Sequence, residues 1–100
     1  MELTDAQRKH LKSLAHTLNP IVMVGQHGLK DTILTELDKA LEYHQLVKIK
    51  ISVGDREARD EVLEAILAHA SGAVLIQKIG NVAVLYQRNL ERPSLFHTVA

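Results

Sequence analysis

The chain has no cysteine and no tryptophan, and its only aromatic residues besides histidine are Tyr43, Tyr86 and Phe96. Without cysteine there is neither a disulfide framework nor thiolate chemistry, which fits a reducing compartment. With so few rings there is no platform on which successive unpaired bases could stack. No apolar run nears the length a bilayer needs, and the opening stretch, Met1 to Lys12, is polar and charged, unlike a signal peptide. The expected location is cytoplasmic, with no membrane partner. Charge of one sign is also missing: 12 basic residues balance 12 acidic ones. Nucleic-acid-binding domains usually carry a basic surplus. A zero total can still hide two opposed surfaces, so the distribution decides.

What remains is an ordinary globular composition, 46% hydrophobic and 24% charged over 100 residues, enough for one domain with a real core. Thr4-Asp5-Ala6-Gln7 reads as a capping box, and Leu11, Leu14, Ala15 and Leu18 recur behind it at helical spacing until Asn19-Pro20 stops the helix. Ile21 to Val24 is a short apolar strand. Gly25 to Gly28 breaks it, and a second helix is expected from about Leu29 to His44, with Ile33, Leu37, Ala40 and Leu41 inward. From Leu46 to Val53, Val47, Ile49, Ile51 and Val53 alternate with Lys48, Lys50 and Ser52, the pattern of a strand with one buried and one solvated face. Asp55 caps a third helix that turns Ala58, Val62, Ala65 and Ile66 inward and ends at Ser71-Gly72. Ala73 to Ile79 and Val82 to Tyr86 flank Gly80-Asn81, a two-residue hairpin signal.

The order is α-β-α-β-α-β-β, a four-stranded mixed sheet expected in two layers. Helix-separated strands should pair in parallel, and the hairpin should add one antiparallel strand. Val82 to Tyr86 is apolar throughout, so it should lie inside the sheet. One domain is expected over 1–92, with an irregular tail over 93–100.

The most informative segment is strand, Gly25-x-x-Gly28, helix. Ligands of α/β sheets collect at the carboxyl ends of parallel strands, and a helix N-terminus there offers unpaired N–H groups and a positive dipole end to an anion. Glycines let a phosphate approach the backbone. The same spacing also makes an ordinary tight turn. A P-loop would need Gly-Lys-Ser/Thr, and a dinucleotide site a third glycine.

Val22 to Leu29, the lysine-bearing strand Leu46-Val47-Lys48-Ile49-Lys50-Ile51, and Val84-Leu85-Tyr86 together resemble the CRM domain (chloroplast RNA splicing and ribosome maturation) in its bacterial single-domain, YhbY-like form. The resemblance runs from the first helix to about Arg92. It implies a fold akin to the C-terminal domain of translation initiation factor three, RNA binding through the glycine loop and a basic surface, and association with ribosomal RNA of large-subunit precursors. The chain departs from the family pattern in two respects. Gln26 and His27 stand where a lysine or arginine is common, and Gln87 precedes Arg88 where arginine tends to follow Leu-Tyr directly.

Charge is segregated along the chain. Lys9, Lys12 and His16 share one side of the first helix. Glu57, Asp60, Glu61 and Glu64 face solvent on the third, and Glu36, Asp38 and Glu42, with Lys39 among them, on the second. Arg56 and Arg59 sit in a helix's first turn, against its dipole, at the same edge as the glycine loop, and Lys78 approaches that edge. Arg56 could equally pair with Asp60. The expected RNA-binding set is Gly25, Gln26, His27, Gly28, Lys30, Lys48, Lys50, Arg56, Arg59, Lys78, Lys9 and Lys12.

Six histidines raise the question of chemistry. None has metal-ligand spacing to another, and no paired carboxylates accompany them, so no metal, cofactor, small-molecule substrate or catalytic residue is expected. His44 and His69 fall on inward helix sides and read as packed, hydrogen-bonded rings; His10, His16 and His97 read as surface residues. The one enzyme reading is a nuclease with His27 as acid and Asp31 as its orienter. A third reading is an adaptor whose acidic helix faces bind ribosomal proteins. With no stacking platform, structured RNA is the expected target.

Overall fold

The computed structural model describes residues 3–96. Its elements are α1 (Asp5–His16), β1 (Val22–Val24), α2 (Asp31–His44), β2 (Leu46–Ile51), α3 (Arg56–His69), β3 (Val74–Ile79) and β4 (Val82–Tyr86). The α1 capping box forms as read: Thr4 accepts from the Gln7 N–H at 3.1 Å, and Gln7 Oε1 accepts from the Thr4 N–H at 2.9 Å. Asp55 caps α3 by accepting from the Ala58 N–H, and each such cap is worth about 1 kcal/mol.

The sheet order is β1-β2-β4-β3. β1 and β2 are parallel, while β4 is antiparallel to both neighbours. β4 therefore lies inside the sheet, as its unbroken apolar run requires. The expected parallel pairing of β2 with β3 does not form, because β4 inserts between them. β1, β2 and β3 still run the same way, so their carboxyl ends share one edge.

The expected two layers are in fact three. Val47, Ile49, Ala83 and Leu85 face α2 and α3, in one core with Leu37, Leu41, Leu63 and Ile66. Leu46, Val84 and Tyr86 face the other way, packed with Leu11 and Ala15 of α1. A strand buried on both faces needs cover on both, and α1 supplies the second. The lysine face of β2 is consequently not simply solvated: it begins with buried Leu46, and Lys48 and Lys50 are half-buried.

On α3, Leu63 takes the buried place expected of Ala65, which is exposed. Helix α1 ends at His16, one turn before Asn19, and leaves Leu18 exposed. His44 is exposed, not packed. His69 is also exposed and donates from Nε2 to Asp38 at 3.0 Å, joining α3 to α2. His10 is half-buried and donates to the Leu95 carbonyl at 2.9 Å. His97 and the end of the tail lie outside the described residues.

Residues 87–96, after β4, have no regular structure, but they are tied down. Gln45, the only buried polar residue among those described, lies between α2 and β2 in a left-handed conformation (φ 64°). Its amide donates to the Pro93 carbonyl and accepts from Arg88 Nη1 and the Asn89 N–H. Leu95 and Phe96 pack against the α1-side core, with the Phe96 ring edge-on to Tyr86.

Candidate functional site

Topology assembles one edge from three loops. Gly25–Gly28 leaves the carboxyl end of β1, Ser52–Asp55 leaves β2, and Gly80-Asn81 leaves β3. Backbone bonds stitch them together: the Ser52 N–H donates to the Val24 carbonyl, and the Ile51 N–H to the Asn81 carbonyl.

The two glycines of the first loop differ. Gly28 donates its N–H to the Gly25 carbonyl at 3.0 Å, closing a turn, and its φ of +78° is one that side chains disfavour. Gly25 has no such conformation, and a Cβ there would meet nothing within 4 Å. Neither folding nor packing asks for glycine at 25; the missing side chain leaves the surface open to close approach. The N–H of Gly28 is spent on the turn, whereas those of Gln26 and His27 have no backbone partner among the described residues. Both side chains are exposed.

Helix α2 starts later than expected, at Asp31, with Lys30 as an N-cap that makes no side-chain bond. Its first-turn N–H groups are thus left without a side-chain acceptor. No hydrogen bond joins His27 to Asp31, so the arrangement a nuclease would need is not formed. Among the described residues, no three histidine, aspartate or glutamate side chains are grouped as a metal would require. No helix there is long and apolar enough to cross a membrane.

Arg56, Arg59 and Lys78 come together as the sequence suggested, around a depression of about 340 Å³ beside Gly80. A β-bulge makes this possible. Between Leu75 and Gln77 the pairing with β4 skips Ile76, so Lys78 pairs with Ala83 and takes the α3 side of the sheet. Strict alternation from Val74, which packs on the α1 side, would have sent it there instead. Lys78 forms an ion pair with Asp60. That hydrogen bond, helped by the charges of Lys78, Arg56 and Arg59, holds the Asp60 carboxyl below its usual range. Asp60 thus occupies the lysine and leaves Arg56 and Arg59 without a hydrogen-bonded acid.

On the opposite face, Lys48 reaches back to α1. Its ammonium donates to the Ala15 and Leu18 carbonyls, both at 3.2 Å, where the helix dipole is negative. This lysine anchors α1 to the sheet. Lys9, Lys12 and Lys50 make no ion pair or hydrogen bond among the described residues. Because α1 and the acidic helices lie on opposite sides of the sheet, the charge stripes become two faces. Lys9, Lys12, Lys48 and Lys50 are on one, and Glu36, Glu42, Glu61 and Glu64 are carried by the helices of the other. The structure therefore divides the expected set into an α1 face, an Arg56–Arg59–Lys78 cluster and the glycine loop, the last two at the carboxyl-end edge of the strands. Sequence reading did not find the bulge at Ile76 or the Lys48 anchor, and no residue pattern announces either.

Comparison with known proteins agrees with this architecture. The CRS1 / YhbY (CRM) domain profile matches residues 3–87. An RNA-binding protein of Haemophilus influenzae is 40% identical over 89 residues, covering 89% of each chain. The probable RNA-binding protein YqeI of Bacillus subtilis is 37% identical, over 93% of this chain and 96% of that one. The solution structure of SAV1595 from Staphylococcus aureus, described as a candidate RNA-binding protein, superposes with a TM-score of 0.73 at 30% identity, covering 92% and 95% of the two chains. These are names of RNA binders, not of enzymes, in line with the expectation of no catalysis. The chain belongs to the CRM-domain family.

Proposed function

We propose that this protein binds structured RNA without cleaving it, and that its target is ribosomal RNA in cytoplasmic precursors of the large ribosomal subunit. The observation that carries the reading is a glycine without a structural reason: Gly25 leaves open space beside Gln26 and His27, whose N–H groups have no partner among the described residues. Lys50, paired with Met23, is the cation next to that strand, and Arg56, Arg59 and Lys78 gather beside Gly80 at the β3 end of the same edge. A phosphate backbone is the ligand that such donors and cations recognise together. The family and the relatives' names support RNA as the class of partner; the ribosomal target rests on the family resemblance.

A second reading, compatible with the first, is favoured by the acidic exposed faces of α2 and α3, which suit a basic ribosomal protein. Titration of labelled ribosomal RNA fragments at two salt concentrations tests the main proposal. Phosphate contacts predict affinity that falls steeply as salt rises. Absence of binding at low salt removes the proposal, and binding of a basic ribosomal protein that is lost when Glu61 and Glu64 are replaced by glutamine favours the adaptor.

A further inference from the structure

Helix α1 covers only half of its side of the sheet. Across the four strands, one row on this face reads Met23, Lys50, Val82, Ile79, each residue paired with the next. It lies at the same strand ends as the glycine loop. Met23 is 58% exposed and Ile79 66% exposed, and Ile21 nearby is 52% exposed. The covered row, with Leu46 and Tyr86, lies at the other end of the sheet. Between α1 and the open half runs a groove of about 580 Å³, with Ile79, Val82 and Val84 toward the sheet and Lys9, Lys12 and His16 toward the helix.

This groove combines features that phosphate binding alone does not call for. An intact RNA duplex presents phosphates, 2′-hydroxyls and base edges, and keeps its base faces stacked inside. Lysines would suffice for it, and exposed aliphatic side chains would gain nothing. Here the aliphatic surface is continuous with the lysines, and no carboxylate among the described residues lines the groove. Gln77 also lines it, half-buried, with no hydrogen-bond partner among the described residues. An amide there can both donate and accept, as the edge of a base requires. The volume lies within the range of pockets for small organic groups.

We propose that the groove receives the base of an unpaired nucleotide extruded from an otherwise paired RNA. The base face lies on Ile79 and Val82, its edge meets Gln77, and the flanking phosphates meet Lys9, Lys12 and Lys50. This rests on the RNA-binding reading above and names the RNA feature it selects. A single extruded base needs no row of aromatic rings. A second copy of the chain fits less well, although its acidic helices would complement the lysines. The acidic and basic faces are on opposite sides of one molecule, so such pairing is head-to-tail rather than a self-complementary two-fold contact.

The test uses three RNA hairpins with one stem sequence: fully paired, with one bulged adenosine, and with an abasic site at the bulge. Affinities are measured by fluorescence anisotropy at fixed salt, with sedimentation of the protein alone. The bulged hairpin should bind about tenfold more tightly than the paired one, the scale of burying one apolar group, and the abasic hairpin should lose most of that gain. Ile79→Ser and Gln77→Ala should abolish the preference and leave affinity for the paired hairpin unchanged. Ile79 is exposed near a hairpin, so its variant should keep the parent's circular dichroism. If paired and bulged hairpins bind alike, or Ile79→Ser keeps the preference, the groove proposal is overturned while RNA binding stands. If neither hairpin binds, both fail. Concentration-dependent association abolished by Ile79→Ser assigns the groove to a second copy and overturns the proposal as well.

Discussion

Arg88 donates from Nη1 to Oε1 of Gln45 at 2.9 Å, and this bond ties the segment after the last strand to the junction of α2 and β2. The same guanidinium reaches the Arg92 carbonyl, and Asn89 donates to the Glu42 carbonyl. Arg88, which the family comparison left without a role, is thus the clasp of a strap that presses Leu95 and Phe96 onto the α1-side core.

Gln45→Ala should lower stability by about 1–3 kcal/mol in urea unfolding, because it leaves the Asn89 N–H without its acceptor and removes one of the acceptors of the half-buried Arg88 guanidinium. Affinity for RNA should stay within error of the parent, since no proposed contact involves the strap. Arg88→Ala should destabilise in the same direction, and the double variant should lose less than the sum.

Tyr86 makes a different prediction. Its side chain is fully buried, and its hydroxyl finds no partner among the described residues. Burial raises the pKa of the phenol. The stabilisation tied to the neutral ring is therefore complete below the ordinary tyrosine range and lost as pH rises through the elevated folded value. Tyr86→Phe should keep or raise stability by about 0.5–1 kcal/mol, and it should flatten the alkaline limb of a melting-temperature profile.

Asp60 restrains the cationic cluster beside it. Asp60→Asn releases Lys78 and removes a negative charge near Arg56 and Arg59. RNA affinity at low salt should rise severalfold, and the slope of log affinity against log salt should steepen by about one. In the parent, the Asp60 carboxyl is held low by Lys78. Its small contribution to stability is present above the ordinary aspartate range and lost as pH falls through the depressed folded value. An unchanged salt slope in Asp60→Asn would exclude Lys78 from the interface.

The two loop glycines separate conformation from access. Gly28→Ala should cost about 1–2 kcal/mol of stability from its left-handed φ. Gly25→Val should leave stability within about 0.5 kcal/mol, as a Cβ at this exposed position meets nothing within 4 Å. Yet Gly25→Val should be the variant that weakens RNA binding, because it fills the space a phosphate would enter. If a folded Gly25→Val protein binds like the parent, the loop is only a turn.

Much of this fold is legible in residue patterns because the patterns are local. The Thr4–Gln7 box, the Asp55 cap and the alternation of β2 each report on a few neighbouring residues. The interior place of β4 follows from its lack of polar positions. What was not legible depends on contacts distant in the chain. Lys48 and Lys50 alternate as if their whole face were solvated, but α1 folds over that face and Lys48 ties it down. The bulge at Ile76 changes the side Lys78 takes, and nothing in Val74–Ile79 signals it. Gln45 looks like a surface residue after a helix, yet it is the buried partner of a segment more than forty positions away. Helical phase alone puts His44 and His69 inward, but each is the last residue of its helix and exposed, and of the two His69 is hydrogen-bonded as expected, to Asp38. At the site, the chemistry was readable from residue type, and the division of those residues between two faces was not.

The central claim is that phosphates are held at the strand-end edge by cations from both sides of the sheet. Its most direct test is the salt dependence of binding to one structured ribosomal RNA fragment, measured for the parent, for Lys12→Ala with Lys50→Ala, for Arg56→Ala with Arg59→Ala, and for Lys39→Ala as a remote control. The parent's log affinity should fall steeply with log salt. Each double variant should flatten that slope by about two, one for each lost phosphate contact, and Lys39→Ala should leave it unchanged. Binding indifferent to salt, or the same slope in the parent and both double variants, would contradict the account.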